Sequence, residues 1–292
     1  MPDPPRLEVR KTYKLFIGGA FPRSESGRSY PVTGRRGGLL AHAALASRKD
    51  ARDAVRAARQ AFPGWSGATA YNRGQVLYRV AELLEGRAGQ FADESVKAAG
   101  GGQVRAAGQV AAAIDRWVWY AGWPDKIGQI TGAANPVAGP YFNLSVPEPT
   151  GVVALLAPAE PSLLALVSVL APVIATGNTA VLVASEEAPL AAISLAEVLA
   201  TSDVPGGVVN VLTGRTAELA PVLAAHMDVN AIDLTGADPA ARADLERAAA
   251  GNVKRVFAAG QDWVAEDWAA TPGLDRMLAF LETKTVWHPV GT

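Results

Sequence analysis

Between residues 152 and 257 the chain alternates short apolar runs with helical patterns, and this alternation restricts its fold more than any other feature. Strand-like segments at 152–156, 179–183, 208–212, 231–234 and 253–257 are separated by helical spacing at 162–175, 189–199, 216–226 and 238–250. The strands are almost wholly apolar, as strands must be when helices cover both faces of their sheet. The short connections carry Gly177-Asn178, Pro205-Gly206-Gly207 and Gly251-Asn252, residues that turn a chain tightly. A strand–helix order repeated in this way, with right-handed crossovers, gives an α/β fold with a Rossmann-like, doubly wound parallel sheet.

Upstream of it, residues 1–12 are polar and proline-bearing and read as a mobile N-terminus. A first strand is expected over 13–17, ended by Gly18-Gly19, and the stretch 24–38 reads as a loop. Ser47, with Asp50 three residues on, is an N-cap signal for an amphipathic helix whose inner face carries Ala51, Ala54, Val55, Ala58 and Phe62 and which is expected to end before Pro63. Two more helices are expected over 71–98 and 103–120, separated by Gly100-Gly101-Gly102. In the second, Ile114, Trp117, Val118 and Tyr120 are read as helix packing.

Beyond Pro124, turn residues surround two extended runs near 127–131 and 140–146, which predicts a small protruding β-ribbon. Residues 260–274 form an irregular linker to which no chemistry is assigned. The final run, 281–288, alternates in the manner of a strand with one covered face. A lone terminal strand is not stable, so this one pairs with the ribbon or with another chain.

Composition narrows the functions open to such a fold. The 292 residues carry 27 basic and 28 acidic side chains, a balance that offers no broad attraction to nucleic acid or to an acidic membrane. The apolar stretch 161–177 is interrupted by Pro172 and is too short to span a bilayer, and the first residues lack the apolar core of a signal peptide. A cytoplasmic protein is therefore expected. There is no cysteine, so disulfides, thiolate metal sites and thiol nucleophiles are all excluded. His42, His226 and His288 show no metal-ligand spacing, and Ser24, Ser162 and Ser185 lie in no G-x-S-x-G context.

The stretches KLFIGGAFPRSESGRSYPV, ASRKDARDAVRAARQAFPGWS, YAGWPDKI, GPYFNLSVPEPTGVVALLAP, LAPVIATGNTAVLVASEEAPL, DVPGGVVNVLTG, AAHMDVNAIDLTGA and AAAGNVKRVFAAG resemble the NAD(P)-dependent aldehyde dehydrogenase superfamily, and FLETKTVWHP is similar to its C-terminal strand. The resemblance covers almost all of 14–260 and 279–289. It implies an NAD-binding domain built from 13–124 and 147–260, with an oligomerisation ribbon from 125–146 and 279–289. It also implies a missing part: family members insert a catalytic domain carrying the nucleophilic cysteine where this chain has only the linker 260–278, and such a domain needs roughly 100 residues. In this respect the chain is similar to the cysteine-less second half of tandem aldehyde dehydrogenases.

Further departures follow from the same comparison of motifs. The family's T-P-W-N-F-P, whose Asn donates to the oxyanion, corresponds to 157–162, with Glu160 in the Asn place; a carboxylate there repels developing negative charge. The place of the general base in E-L-G-G-K falls on Ala259. No catalytic residue is therefore assigned. The K-P-S-E segment that holds the adenosine ribose corresponds to Val183-Ala184-Ser185-Glu186, and the F-T-G-S helix opening that meets the pyrophosphate corresponds to Leu234-Thr235-Gly236-Ala237, followed by Asp238. Glu186 and Gly236 are the vestigial cofactor-binding candidates. NAD or NADP binding is possible on this resemblance, although the lost contacts favour a chain without cofactor. The expected function is that of a non-catalytic subunit or scaffold joined to a complete aldehyde dehydrogenase, or to a second copy of itself, through the terminal strand. The alternatives are an NAD(P)-binding module and an atypical oxidoreductase acting on aldehydes through Glu160 and Glu186.

Overall fold

A computed structural model describes residues 10–160, 162–258 and 267–291. Strands β1 (Thr12–Tyr13), β2 (Ser29–Thr33) and β3 (Leu39–Ala44) make a small sheet in the order β1-β3-β2. Helices α1 (Arg48–Ser66), α2 (Ala70–Glu85), α3 (Ala88–Ala99) and α4 (Gln103–Ala121) follow. The short helix α5 (Ile127–Thr131) leads into β4 (Ala133–Ala134) and β5 (Tyr141–Pro149). The central unit then runs β6 (Val152–Leu156), α6 (Ser162–Ala175), β7 (Thr179–Val183), α7 (Leu190–Leu199), β8 (Val209–Leu212), α8 (Thr216–Ala225), β9 (Ala231–Asp233), a 3₁₀ turn (Pro239–Ala241), α9 (Arg242–Ala250) and β10 (Arg255–Phe257). Helix α10 (Asp275–Ala279) and β11 (Leu281–Pro289) close the described chain.

The five central strands are parallel in the order β10-β9-β6-β7-β8, the doubly wound arrangement expected from the apolar alternation. Every residue of β6, β7, β8 and β9 is buried. Helix α6 is buried from Leu163 to Ala175, so it is apolar on all sides and packs between α4 and the sheet. Each large apolar side chain buried there stabilises the fold by about 1.5–3 kcal/mol. Phe16 exchanges main-chain hydrogen bonds with Val211 (2.9 and 2.7 Å) and covers the β8 edge. At the other edge, among the described residues, β10 pairs with β9 alone, and Arg255 and Val256 are exposed.

Several local expectations are corrected. Residues 127–131 are helical, not extended: Ile127 N–H donates to Trp123 (3.0 Å), Ile130 N–H to Lys126 (3.3 Å) and Gly132 N–H to Gly128 (3.0 Å), so the isoleucines three apart lie on one separate helical turn after α4. The helix expected over 71–98 is two, because α2 ends at Gly86 and the chain re-enters a helix at Ala88. Helix α1 passes through Pro63 to Ser66, held by Trp65, which is buried and donates its indole N–H to the Ile174 carbonyl (2.9 Å). The loop expected over 24–38 contains β2, and regular pairing of the first strand is confined to β1. The N-cap expectation holds: Asp50 accepts from the Ser47 N–H (2.8 Å) and Ser47 Oγ from the Asp50 N–H (3.3 Å). The reading of residues 1–12 as a mobile terminus falls mainly outside the described residues.

The ribbon and the central sheet are joined at one buried amide. Asn178, read in the sequence as a turn residue, accepts from Gly151 N–H (2.8 Å) and donates to the carbonyl of Phe280 (2.9 Å), the residue before β11. Thr150 N–H donates to the same carbonyl (3.2 Å). Replacing Asn178 by Ala leaves the buried Gly151 donor without its partner, so urea unfolding is expected to show a loss of about 1–3 kcal/mol.

Before β10, Val253 is held at a φ of +59° and Lys254 is buried, donating to Asn252 Oδ1. Burial lowers the Lys254 ammonium to about 8. The unfolded chain then binds the extra proton between that value and the model-peptide range near 10.4, so stability rises with pH across this window. Thermal unfolding in alkaline buffers is expected to show the rise, and Lys254→Gln to remove it.

Candidate functional site

The strand order reverses between β6 and β9, so the carboxyl ends of these strands flank the place where doubly wound folds hold ligands. Gly236, in the turn after β9, lies against the chain leaving β6. Its N–H donates to the Leu156 carbonyl (3.0 Å), and a Cβ built on it would stand 2.3 Å from the Ala157 carbonyl oxygen. Only glycine fits that approach. Asp238 then accepts from the Ala240 N–H (3.0 Å) and so occupies the start of the turn leading into α9 with a carboxylate. Glu186, after β7, stands 3.7 Å from the Arg215 guanidinium. The two candidate cofactor residues thus already have protein neighbours, and the helix start offers a diphosphate a negative charge instead of a free N–H. This donor set fits a dinucleotide poorly.

Glu160 is exposed at the end of β6 and lines a cleft of about 470 Å³ together with Arg35, Arg105, Gln109, Ser162 and Glu187. Neither Glu186 nor Gly236 is among the residues lining it. The general-base place at Ala259 lies outside the described residues. No group of three or more His, Asp or Glu side chains that could hold a metal occurs among the described residues, and the three histidines are not brought together there.

A buried ion pair lies at the end of β9. Asp233 is fully buried and pairs with Arg276 of α10, which is also buried. The second oxygen of Asp233 accepts from Thr235 N–H (2.8 Å), and Arg276 Nη2 donates to Thr235 Oγ1 (3.1 Å). The Arg276 guanidinium also lies 4.6 Å from the centroid of the Phe257 ring and 5.7 Å from that of Trp268. From α4, Arg116 donates to the carbonyls of Trp268 (2.7 Å) and Ala270 (3.0 Å). Two buried arginines therefore fasten the segment after β10 to the sheet and to α4.

The ribbon presents a different kind of surface. β11 pairs antiparallel with β5 over its whole length, from Leu281 opposite Pro149 to Pro289 opposite Tyr141, the first of the two pairings expected, but the covered face expected from the alternation of 281–288 is absent, since both faces beyond Leu281 are exposed. In the sheet order β11-β5-β4, β11 is the edge, and all of it except Leu281 is exposed. Bonds from Thr150 N–H to Phe280 O and from Val290 N–H to Pro140 O (2.8 Å) fix which pairs are hydrogen-bonded. By alternation, the main-chain groups of Leu281, Thr283, Thr285 and Trp287 point away from β5, toward the open edge. Pro147 and Pro149 sit opposite Thr283 and Leu281, where no N–H toward β11 is needed. Ser145 and Thr285 hydroxyls meet at 2.8 Å across the pair, and Tyr141 packs edge-on against Trp287 with centroids 5.8 Å apart.

The sequence profile of the Aldehyde dehydrogenase family matches residues 23–260. The chain belongs to the aldehyde dehydrogenase family. Cytosolic 10-formyltetrahydrofolate dehydrogenase of Mus musculus is 33% identical over 261 residues, covering 86% of this chain and 28% of that protein. Retinal dehydrogenase 2 of Homo sapiens is 34% identical over 264 residues, covering 88% and 50% respectively. The NAD+ complex of an aldehyde dehydrogenase from Bacillus cereus superposes with a TM-score of 0.80 at 27% identity, over 85% of this chain and 50% of that one. This aldehyde dehydrogenase family member therefore spans half or less of the length of these relatives, and it contains no cysteine. No helix among its described residues is long and apolar enough to cross a membrane.

Proposed function

We propose that this chain is a non-catalytic aldehyde dehydrogenase family subunit that joins a complete member of the family by strand addition at β11, in the cytoplasm. The observation that carries the reading is the nine-residue edge strand, registered along its length on β5 with its outer main-chain groups turned outward. Attack by thiolate on an aldehyde requires a cysteine, and the chain has none. Glu160 stands in the oxyanion-donor place with a charge of the wrong sign. Residues 260–278 are taken to replace the catalytic domain, with the central sheet acting as the platform that orients the ribbon.

The test is purification of the chain from its native host followed by native mass measurement. A mixed assembly containing a full-length aldehyde dehydrogenase subunit is the expected result; a strictly monomeric chain would overturn the reading, and an assembly of this chain alone would replace the partner by a second copy. With Asp238 at the helix start and Glu186 beside Arg215, calorimetric titration of the isolated chain with NAD+ or NADP+ is expected to give no saturable heat at millimolar concentrations.

A further inference from the structure

At the end of β3, flanked by β1 and β2, a cleft of about 300 Å³ is lined by cations from two stretches of the chain: Lys14, after β1, and Arg23 and Arg28, on the loop before β2. The hydroxyl-bearing residues Thr12, Ser24 and Ser29 also line it, and no carboxylate does. All three cations are exposed, and none has a side-chain hydrogen bond or ion pair among the described residues. Some other cations have partners, as Lys11 and Arg87 do in Glu197 and Arg255 in Glu282 at 3.6 Å, while Arg48 and Lys97, like these three, have none among the described residues.

The acids near this loop have partners of their own, and one of them, Asp50, lies behind the cleft-lining Ser24. Glu25 accepts from Ser47 Oγ (2.9 Å) and faces Lys49 at 4.0 Å. Asp50 is buried and accepts from Ser24 Oγ (2.7 Å), Glu25 N–H (3.1 Å) and Ser47 N–H (2.8 Å). These bonds anchor the loop bearing Arg23 and Arg28 to the start of α1 at Ser24 and Glu25, which fixes the stretch of backbone that carries both arginines. Like charges converging in a concave, carboxylate-free wall raise the local potential, and an anion with several oxygens relieves it. Guanidinium groups match phosphate oxygens two at a time, and a cleft of this size takes a small molecule, not a polymer.

We infer that this cleft binds the phosphate or diphosphate group of a small molecule through Lys14, Arg23 and Arg28. The site is independent of the ribbon and of the family's reaction. Calorimetric titration of the full chain with inorganic pyrophosphate at low ionic strength is expected to be saturable and to weaken as salt is added. Arg23→Ala and Arg28→Ala are each expected to weaken it about tenfold, the loss that follows when a charged hydrogen bond is removed. Lys14→Gln should act in the same direction, while Arg79→Ala, on the α2 surface beside Glu82, should leave the affinity unchanged. Because the three side chains are exposed, unchanged thermal midpoints without ligand are expected and check folding. Flotation with vesicles containing phosphatidylinositol phosphate distinguishes the source: flotation lost in Arg28→Ala assigns a lipid headgroup, and no flotation assigns a soluble ligand. No saturable pyrophosphate binding, or equal binding by wild type, Arg23→Ala and Arg28→Ala, would overturn the site.

Discussion

Arg276→Met is expected to lower the unfolding free energy by about 3–5 kcal/mol, the cost of leaving a buried charge without its partner. Asp233 has no exposed surface, and with Arg276 gone its contacts reduce to the N–H and hydroxyl of Thr235. Asp233→Leu combined with Arg276→Met removes both charges and is expected to recover most of that loss, because apolar groups replace a pair whose attraction was largely offset by desolvation. Urea unfolding of the wild type, both single variants and the double variant gives the coupling energy directly. A single Arg276→Met variant within about 1 kcal/mol of wild type would show that the pair is not what fastens the segment. The pair ties α10 to the end of β9. Local unfolding should then appear first around 267–280 in Arg276→Met, as faster amide exchange there than in β6 or β7.

The central sheet was legible because its signal is redundant. Five apolar runs, four helical patterns and glycine-bearing turns all require the same answer, and none depends on a single residue. Short elements lack that redundancy. Ile127 and Ile130 suit either a strand or one turn of helix, and what decides for the helix is the position of the Trp123 and Lys126 carbonyls in the turn between α4 and α5. β2 alternates, with Tyr30 and Val32 turned inward between exposed Ser29, Pro31 and Thr33, but five residues with a central proline amid glycine, serine and arginine read more readily as loop.

Of the candidate site, Glu186, Gly236 and Glu160 follow β7, β9 and β6, and motif comparison could not reveal that Gly236 is pressed against Ala157. The Asp233–Arg276 pair, the Asn178 junction and the Lys14–Arg23–Arg28 cleft left no trace in spacing. Each joins residues whose proximity is created by the fold and by nothing local. An aspartate within an apolar strand was the one available hint, since a buried carboxylate must find a cation or hydrogen-bond donors somewhere.

Thr283→Pro combined with Thr285→Pro is expected to abolish partner association while leaving the ribbon folded. Both residues direct their main-chain N–H away from β5, so proline removes two of the four outward donors and places two rings where an added strand would lie. At about 0.5–1.5 kcal/mol per lost bond, with the steric block added, association should weaken on the order of 100-fold or more. The cost within the subunit is small: the Thr285 hydroxyl bond to Ser145, worth about 1 kcal/mol, is lost and the β5 ladder is kept. Lys284→Pro is the matched control. Its N–H belongs to the inward set, so proline there breaks the β5 pairing itself and should destabilise the ribbon. Strand addition thus predicts opposite outcomes for neighbouring residues: association lost with stability kept at 283 and 285, and stability lost at 284. A side-chain interface on either face of the ribbon predicts no such alternation, and a double variant whose native mass still matches the wild-type assembly would exclude main-chain pairing as the mode of association.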